Sequence, residues 1–287
     1  MSWILSGFAD EAADLAEDQI KVLKEEGLSH IDVRMVDGCN VADLPIDRAK
    51  SLRRQLDAAG VKVCMLGTPI GKIDITDDFQ IDIGKLEHCT AVGRILDCNR
   101  LRVFSYFNKQ SAPPDQWQSK SISRLRQLKA RAADLGVVLY LENEHDLFGD
   151  VGKRFKRIVD ELYDPTFKTI FDFDNYNFCK DDVWENWLQL RDVTDAFHLK
   201  DSDKDGQHVP AGQGTGRVRD ILADALSRRW EGPLSLEPHL AHSPAVMATG
   251  PSGRSNQKLA EMSPAECFGV ATTAVRQLLG QIGAPFV

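Results

Sequence analysis

Short apolar runs of five or six residues alternate along the chain with longer stretches whose apolar positions recur every three or four residues. The runs predict eight strands, at 3–8, 29–34, 61–66, 100–105, 137–142, 168–173, 194–199 and 233–237. The periodic stretches predict helices near 15–26, 46–59, 78–97, 115–135, 151–162, 182–190, 217–229 and 264–281. Strands that alternate with helices form a parallel sheet, because each return to the same edge needs a crossover. Glycine follows three of the helices, in Glu26-Gly27, Ala59-Gly60 and Leu135-Gly136. A left-handed residue commonly ends a helix there. Eight strand–helix pairs in 287 residues predict one α/β domain, a (β/α)8 TIM barrel over 1–287. A doubly wound open sheet is the alternative, but no predicted strand is followed by GxGxxG.

One segment breaks the rhythm. Residues 240–263 are rich in Gly, Ser and Pro and show no period. They follow the last strand, on the C-terminal face where barrels carry their sites, and read either as a lid or as a plain insertion.

Candidate chemistry lies at the strand ends. Glu142 closes VVLYLE, Asp172 lies in KTIFDF, His198 in DAFHL and Glu237 closes PLSLE, at intervals of 30, 26 and 39 residues. Each interval matches one strand-plus-helix unit, so a barrel would bring the four together at its C-terminal mouth. Three carboxylates and one imidazole make an oxygen-rich site for a divalent cation. Taken singly, a carboxylate at a strand end is more ordinarily a helix cap or a turn residue. Alternation puts Lys200 on the face of His198, Tyr140 and Glu144 on that of Glu142, Asp174 on that of Asp172, and Ser235 and His239 on that of Glu237.

Composition narrows the function class. The formal net charge is −8, with no strongly basic stretch, which argues against a nucleic-acid surface. The six cysteines are scattered without a CxxC, as expected of buried reduced thiols. The N-terminus lacks the basic start and long apolar core of a signal peptide, and no apolar run is long enough to span a membrane. A cytoplasmic protein is expected.

Eight motifs carry a resemblance: SGFADE (6–11), GTPIGK (67–72), RVFSYF (102–107), LENEHDLFGD (141–150), FDFDNYNF (171–178), FHLKD (197–201), VPAGQGTG (209–216) and LSLEPHL (234–240). With them the chain resembles the xylose-isomerase-like barrel superfamily of sugar phosphate isomerases and epimerases. The resemblance implies one divalent metal, manganese, magnesium, cobalt or zinc, held by Glu142, Asp172, His198 and Glu237. It also implies that Glu142 and Glu237 serve as acid and base on opposite faces of a substrate carbon. The expected activity is isomerisation or epimerisation of a sugar or keto sugar. The alternative on the same site is a lyase or dehydratase that eliminates a β-substituent, with His239 or Glu144 as its acid. A non-catalytic sugar-binding barrel would not need all four ligands. The DNA-repair endonuclease branch needs extra histidines that a chain with only seven lacks.

Arg34, Lys72, Arg102 and Lys200 are expected to fix substrate oxygens, and Asn175 and Asp201 to orient ligands. His239 reads either as a substrate contact or as a hydrogen-bonded rim histidine. VPAGQGTG, with Gly212, Gly214 and Gly216, reads as a plain tight loop rather than a phosphate site, for it lacks GK[ST]. The expected partner is a small sugar. A homo-oligomer is compatible with the sequence, while nucleic acid and membrane are not expected.

Overall fold

The computed structural model describes residues 3–241, 246, 259 and 261–287. Eight parallel strands form its centre: β1 (Ile4–Gly7), β2 (His30–Val33), β3 (Lys62–Leu66), β4 (Arg100–Val103), β5 (Val138–Glu142), β6 (Phe167–Asp172), β7 (Ala196–Leu199) and β8 (Pro233–Leu236). Hydrogen bonds join them in the order β1-β8-β7-β6-β5-β4-β3-β2. The sheet therefore curls into a nearly closed barrel whose two edge strands, β1 and β2, face each other across a seam.

The main helices among the described residues are α1 (Ala16–Glu25), α2 (Ile46–Ala59), α3 (Gln80–Leu96), α4 (Pro114–Leu135), α5 (Gly152–Leu162), α6 (Phe173–Phe178), α7 (Val183–Leu190), α8 (Val218–Ser227) and α9 (Pro264–Ile282); all but α6 follow the predicted pattern. Their apolar faces cover the outside of the barrel: Leu52 and Leu56 of α2, Leu125 and Leu128 of α4, and Phe155 and Ile158 of α5 are all buried. Gly27, Gly60 and Gly136 adopt φ of 63°, 70° and 75°, which glycine reaches without steric cost. Among the described residues, no helix is long and apolar enough to cross a membrane. All six cysteines are free, and four are buried.

Two departures from the predicted pattern bear on the site. Strand β6 stops at Asp172, and α6 starts at once with Phe173, so alternation does not continue to Asp174. A short 3-10 turn at Ala9–Glu11 follows β1 and folds Asp10 and Glu11 back over the barrel mouth. Of the loop expected over 240–263, residues 242–245, 247–258 and 260 lie outside the described residues.

Candidate metal and proton-transfer centre

The ends of β5, β6, β7 and β8 bring Glu142, Asp172, His198 and Glu237 together. One potential ligand atom from each lies within 4.8 Å of the other three. All four residues are 3% exposed or less. Register explains this convergence. Asp172 pairs with His198 across β6 and β7, and Ser235 pairs with His198 across β7 and β8, so the groups occupy adjacent layers of one barrel interior.

His198 Nδ1 lies 2.8 Å from Glu142 Oε1 and 3.1 Å from Glu237 Oε2. Burial disfavours a charged imidazole, yet the Glu142 and Glu237 carboxylates push its pKa up to about 10. Burial also drives the Asp172 carboxyl up to about 8, against the pull of Lys200, with Glu142 and Glu237 adding repulsion. Glu237 goes the other way. Burial would raise it, but His198, Lys200 and Arg102 hold it well below the ordinary value.

Asp172 divides its two oxygens. Oδ1 accepts from the Asn175 backbone N–H at 2.8 Å and caps α6, the ordinary task of an acid at a strand end. Oδ2 lies 3.1 Å from Lys200 Nζ and makes no hydrogen bond among the described residues. Glu237 Oε2 is likewise buried, and its one near partner is His198 Nδ1 at 3.1 Å, a nitrogen already engaged by Glu142. Such atoms are costly unless something compensates them. With the imidazole they form an oxygen-and-nitrogen donor set that fits a divalent cation. Metal binding would displace the protons shared between His198 and its carboxylate neighbours.

The surrounding cations are held by protein carboxylates. Arg34 donates from Nε to Asp10 Oδ2 at 2.7 Å, from Nη2 to Glu11 Oε1 at 3.3 Å and from Nη1 to Glu237 Oε1 at 2.8 Å. Arg102 Nη1 reaches both glutamates, Glu142 Oε2 at 3.1 Å and Glu237 Oε1 at 3.4 Å. Lys200 Nζ also donates to Asn175 Oδ1 at 3.0 Å. Lys72 Nζ lies 2.6 Å from Glu144 Oε2 and stands over the Phe104 ring at 4.3 Å. Its side chain is 24% exposed, against 5–6% for the other three cations. Lys72 is thus the cation that faces the open mouth.

Several expected residues sit elsewhere than the sequence suggested. Arg34 belongs to an ion network with Asp10, Glu11 and Glu237 and does not present a free guanidinium. Asp201 touches none of the four central groups. Its carboxylate accepts the backbone N–H groups of Gly212, Gly214 and Gly216, each at 2.9 Å. The glycine loop is therefore tied to an acid, and those N–H groups are not offered to a phosphate. Asp174, turned by the start of α6, accepts from Ser202 Oγ and lies 3.2 Å from His208 Nδ1. His239 Nδ1 is 2.9 Å from Glu11 Oε1, and the His239 backbone N–H donates to Glu11 Oε2 at 2.7 Å. Asn175 does bridge Lys200 and the Asn143 carbonyl.

Asp10, Glu11 and Asn143 escaped the sequence reading. Asp10 and Glu11 lie in SGFADE, where a strand ends in two acids, the same signal that marked Glu142. Asn143 shares no strand face with Glu142, so alternation hid it.

A family model described as xylose isomerase-like TIM barrel matches residues 20–258. The chain belongs to that family. No curated protein sequence matches it. Solved structures of the same fold include the probable 3-DHS dehydratase AsbF of Bacillus anthracis, at 16% identity and a TM-score of 0.72, with 96% of this chain and 99% of that one covered. Another is the D-allulose 3-epimerase of Methylomonas sp., at 17% identity and a TM-score of 0.73, with 97% and 98% covered. A third is the IOLI protein with a bound zinc atom, at 15% identity and a TM-score of 0.73, with 97% and 98% covered. At these identities the likeness speaks for the fold. The xylose isomerase-like barrel of this chain carries its candidate centre on the C-terminal face, as TIM-barrel enzymes do.

Proposed function

We propose that this xylose isomerase-like barrel is a metal-dependent isomerase or epimerase of a sugar or keto sugar. The observation that carries the reading is the shared environment of Glu142 and Glu237. Both lie beside His198 Nδ1, at 2.8 and 3.1 Å, and both touch one guanidinium nitrogen of Arg102. A reaction that takes a proton from one face of a carbon and returns it to the other needs two acid/base groups at one centre. His198 and Arg102 hold the two carboxylates together there. A divalent cation held by Glu142, Asp172, His198 and Glu237 would polarise the substrate carbonyl and stabilise the charge left by the departing proton.

The remaining roles belong to this chain's own side chains. Glu142 and Glu237 exchange the proton at their carboxylate oxygens. Lys200, charged and buried between Asp172 and Asn175, holds a substrate oxygen near the centre. Lys72, partly exposed over Phe104, orients the part of the sugar nearer solvent. Similar structures named as D-allulose 3-epimerase and 3-keto-D-glucoside 4-epimerase are consistent with such chemistry. A second reading, elimination of a β-substituent, draws on the probable dehydratase among the similar structures and on the Lys72–Glu144 pair as a proton source.

The deciding experiment incubates the manganese-loaded protein in D2O with ketoses, inososes and 3-keto glycosides and follows products by NMR. Deuterium at one carbon together with its epimer supports the proposal. Glu142→Gln is expected to exchange from one epimer only, and Glu237→Gln from the other only. Release of a β-substituent without epimer formation transfers the reading to elimination. No turnover or exchange of any sugar with any divalent metal overturns both.

A further inference from the structure

The opposite, N-terminal mouth of the barrel carries a partly polar cavity. Three consecutive strands begin there with a basic residue: His30 opens β2, Lys62 opens β3 and Arg100 opens β4. His30 and Lys62 are register partners across β2 and β3. The three line a cavity of about 340 Å3 together with Arg53, Asp57 and Asp97. The cavity is far larger than one water, whose share of liquid volume is about 30 Å3.

The charges in this cavity are unevenly paired. Arg53 takes both carboxylates, Asp57 Oδ2 at 2.8 Å and Asp97 Oδ2 at 3.8 Å. Lys62 and Arg100 form no ion pair with any described residue. Arg100 makes only long contacts, from Nη1 to the Cys64 carbonyl at 3.5 Å and to Cys64 Sγ at 3.9 Å. Two cations that line one cavity without an acid partner among the described residues stand out in a chain of net charge −8. They also act on their neighbour. Burial lowers the pKa of His30, and Lys62 and Arg100 lower it further by repulsion. The imidazole is thus the neutral member of a positive cluster. Its Nδ1 lies 3.0 Å from Ser29 Oγ.

We propose that this N-terminal mouth binds a small doubly charged oxyanion of the sulfate or phosphate class between Lys62, Arg100 and His30. The site is separate from the candidate metal centre, which lies at the other end of the same strands. An anion seated there would meet two ammonium or guanidinium donors in charge-assisted hydrogen bonds. It would also offset the repulsion that adds to burial in lowering the His30 pKa, so binding and protonation of His30 reinforce each other. The charged groups facing His30 are Lys62 from β3, Arg100 from β4, Arg53 and Asp57 from α2, and Asp97 after α3. Sulfate keeps its charge across neutral pH, so any pH dependence of its binding belongs to the protein.

Calorimetric titration of the intact protein with sodium sulfate, at pH 6 and pH 8, tests the proposal. One saturable site is expected, tighter at pH 6, with proton uptake revealed by buffers of different ionisation heat. Lys62→Met and Arg100→Met should each weaken binding about tenfold or more, the loss expected of one charge-assisted hydrogen bond. His30→Gln should retain binding but lose its pH dependence. Lys200→Met, at the other mouth, should leave sulfate affinity unchanged. Lys62 is exposed, so its variant keeps the test open if Arg100→Met does not fold. Glycerol 3-phosphate titrated in parallel separates the two sources of such an anion: tighter binding than sulfate assigns the site to a phosphate ester, equal or weaker binding to the free ion. Absence of saturable binding at millimolar sulfate overturns the proposal. So does sulfate binding that Lys62→Met and Arg100→Met leave intact.

Discussion

Asn143 and Asp172 are joined by two hydrogen bonds. The Asp172 N–H donates to Asn143 Oδ1 at 2.8 Å, and Asn143 Nδ2 donates to the Asp172 carbonyl at 2.9 Å. The side-chain amide thereby extends the pairing of β5 and β6 one residue beyond the strand end. It sets the height at which Asp172 leaves the barrel wall. Asn143→Ala is expected to weaken manganese binding by about 10–100-fold, the usual loss when the support of a ligand is removed. It should also cost about 1–3 kcal/mol of stability through the two orphaned backbone groups. Metal titration and urea unfolding check the two parts separately. Unchanged manganese affinity would show that Asp172 needs no such support.

His198 and Lys200 share a strand face but should respond differently to replacement. His198→Ala removes the imidazole nitrogen from the candidate metal set and is expected to lower manganese affinity by at least about tenfold. Lys200→Met removes a charge that cannot coordinate. It should leave metal affinity within a few-fold and reduce turnover or substrate binding. Titration of both variants with manganese decides. Wild-type affinity in His198→Ala would remove the imidazole from the proposed set.

Asp201 is expected to matter for the loop it holds. Asp201→Ala leaves the N–H groups of Gly212, Gly214 and Gly216 without their acceptor, at a cost of about 1–3 kcal/mol. Gly214→Ala should destabilise by a similar route, because its new Cβ would lie 2.3 Å from Asp201 Oδ1 and from the Ser202 carbonyl. Thermal unfolding of both variants, with metal titration alongside, checks this. A loss of metal affinity larger than the loss of stability would restore Asp201 to ligand orientation.

Asp82 gives a pH signature away from the centre. Burial pushes its carboxyl up to about 6, although Lys85 and the Gly71 N–H oppose this. Its pKa is raised relative to an ordinary aspartate, so its contribution is most favourable below about pH 4. That contribution should fall as pH climbs toward 6 and stay low above. Asp82→Asn is therefore expected to gain on the wild type across that window, by about 1–3 kcal/mol at pH 7. Urea unfolding of the two proteins at pH 4, 6 and 8 measures the difference. A constant difference across the three values would mean that Asp82 titrates normally.

The barrel and the convergence of Glu142, Asp172, His198 and Glu237 were legible because both depend on period. Strand-length apolar runs, each ended by a carboxylate or an imidazole, survive almost any detail of packing. The strand-face assignments were legible only as far as each strand lasts. They failed at Asp174, where Asp172 caps a helix and the two-residue repeat gives way to a helical one. Arg34 read as a substrate group because it ends the predicted strand 29–34, just past the last residue of β2. Its actual partners, Asp10 and Glu11, come from a turn whose course no local pattern specifies. Asp201 shows the same limit: FHLKD places it beside the site, but three glycine N–H groups more than ten residues away take its oxygens.

The seam between β1 and β2 has no ladder of backbone hydrogen bonds to hold it. What crosses it are side chains: Ser6 Oγ donating to Asp32, and Arg34 gripping Asp10 and Glu11. Arg34 passes the connection to Glu237, and Arg102 carries it on to Glu142. The groups proposed to move a proton are thus rivets of the barrel wall. Loosening one for a new substrate would also slacken the hoop, and enlarging the mouth by evolution or design would call for a fresh fastening between the first strand and the second.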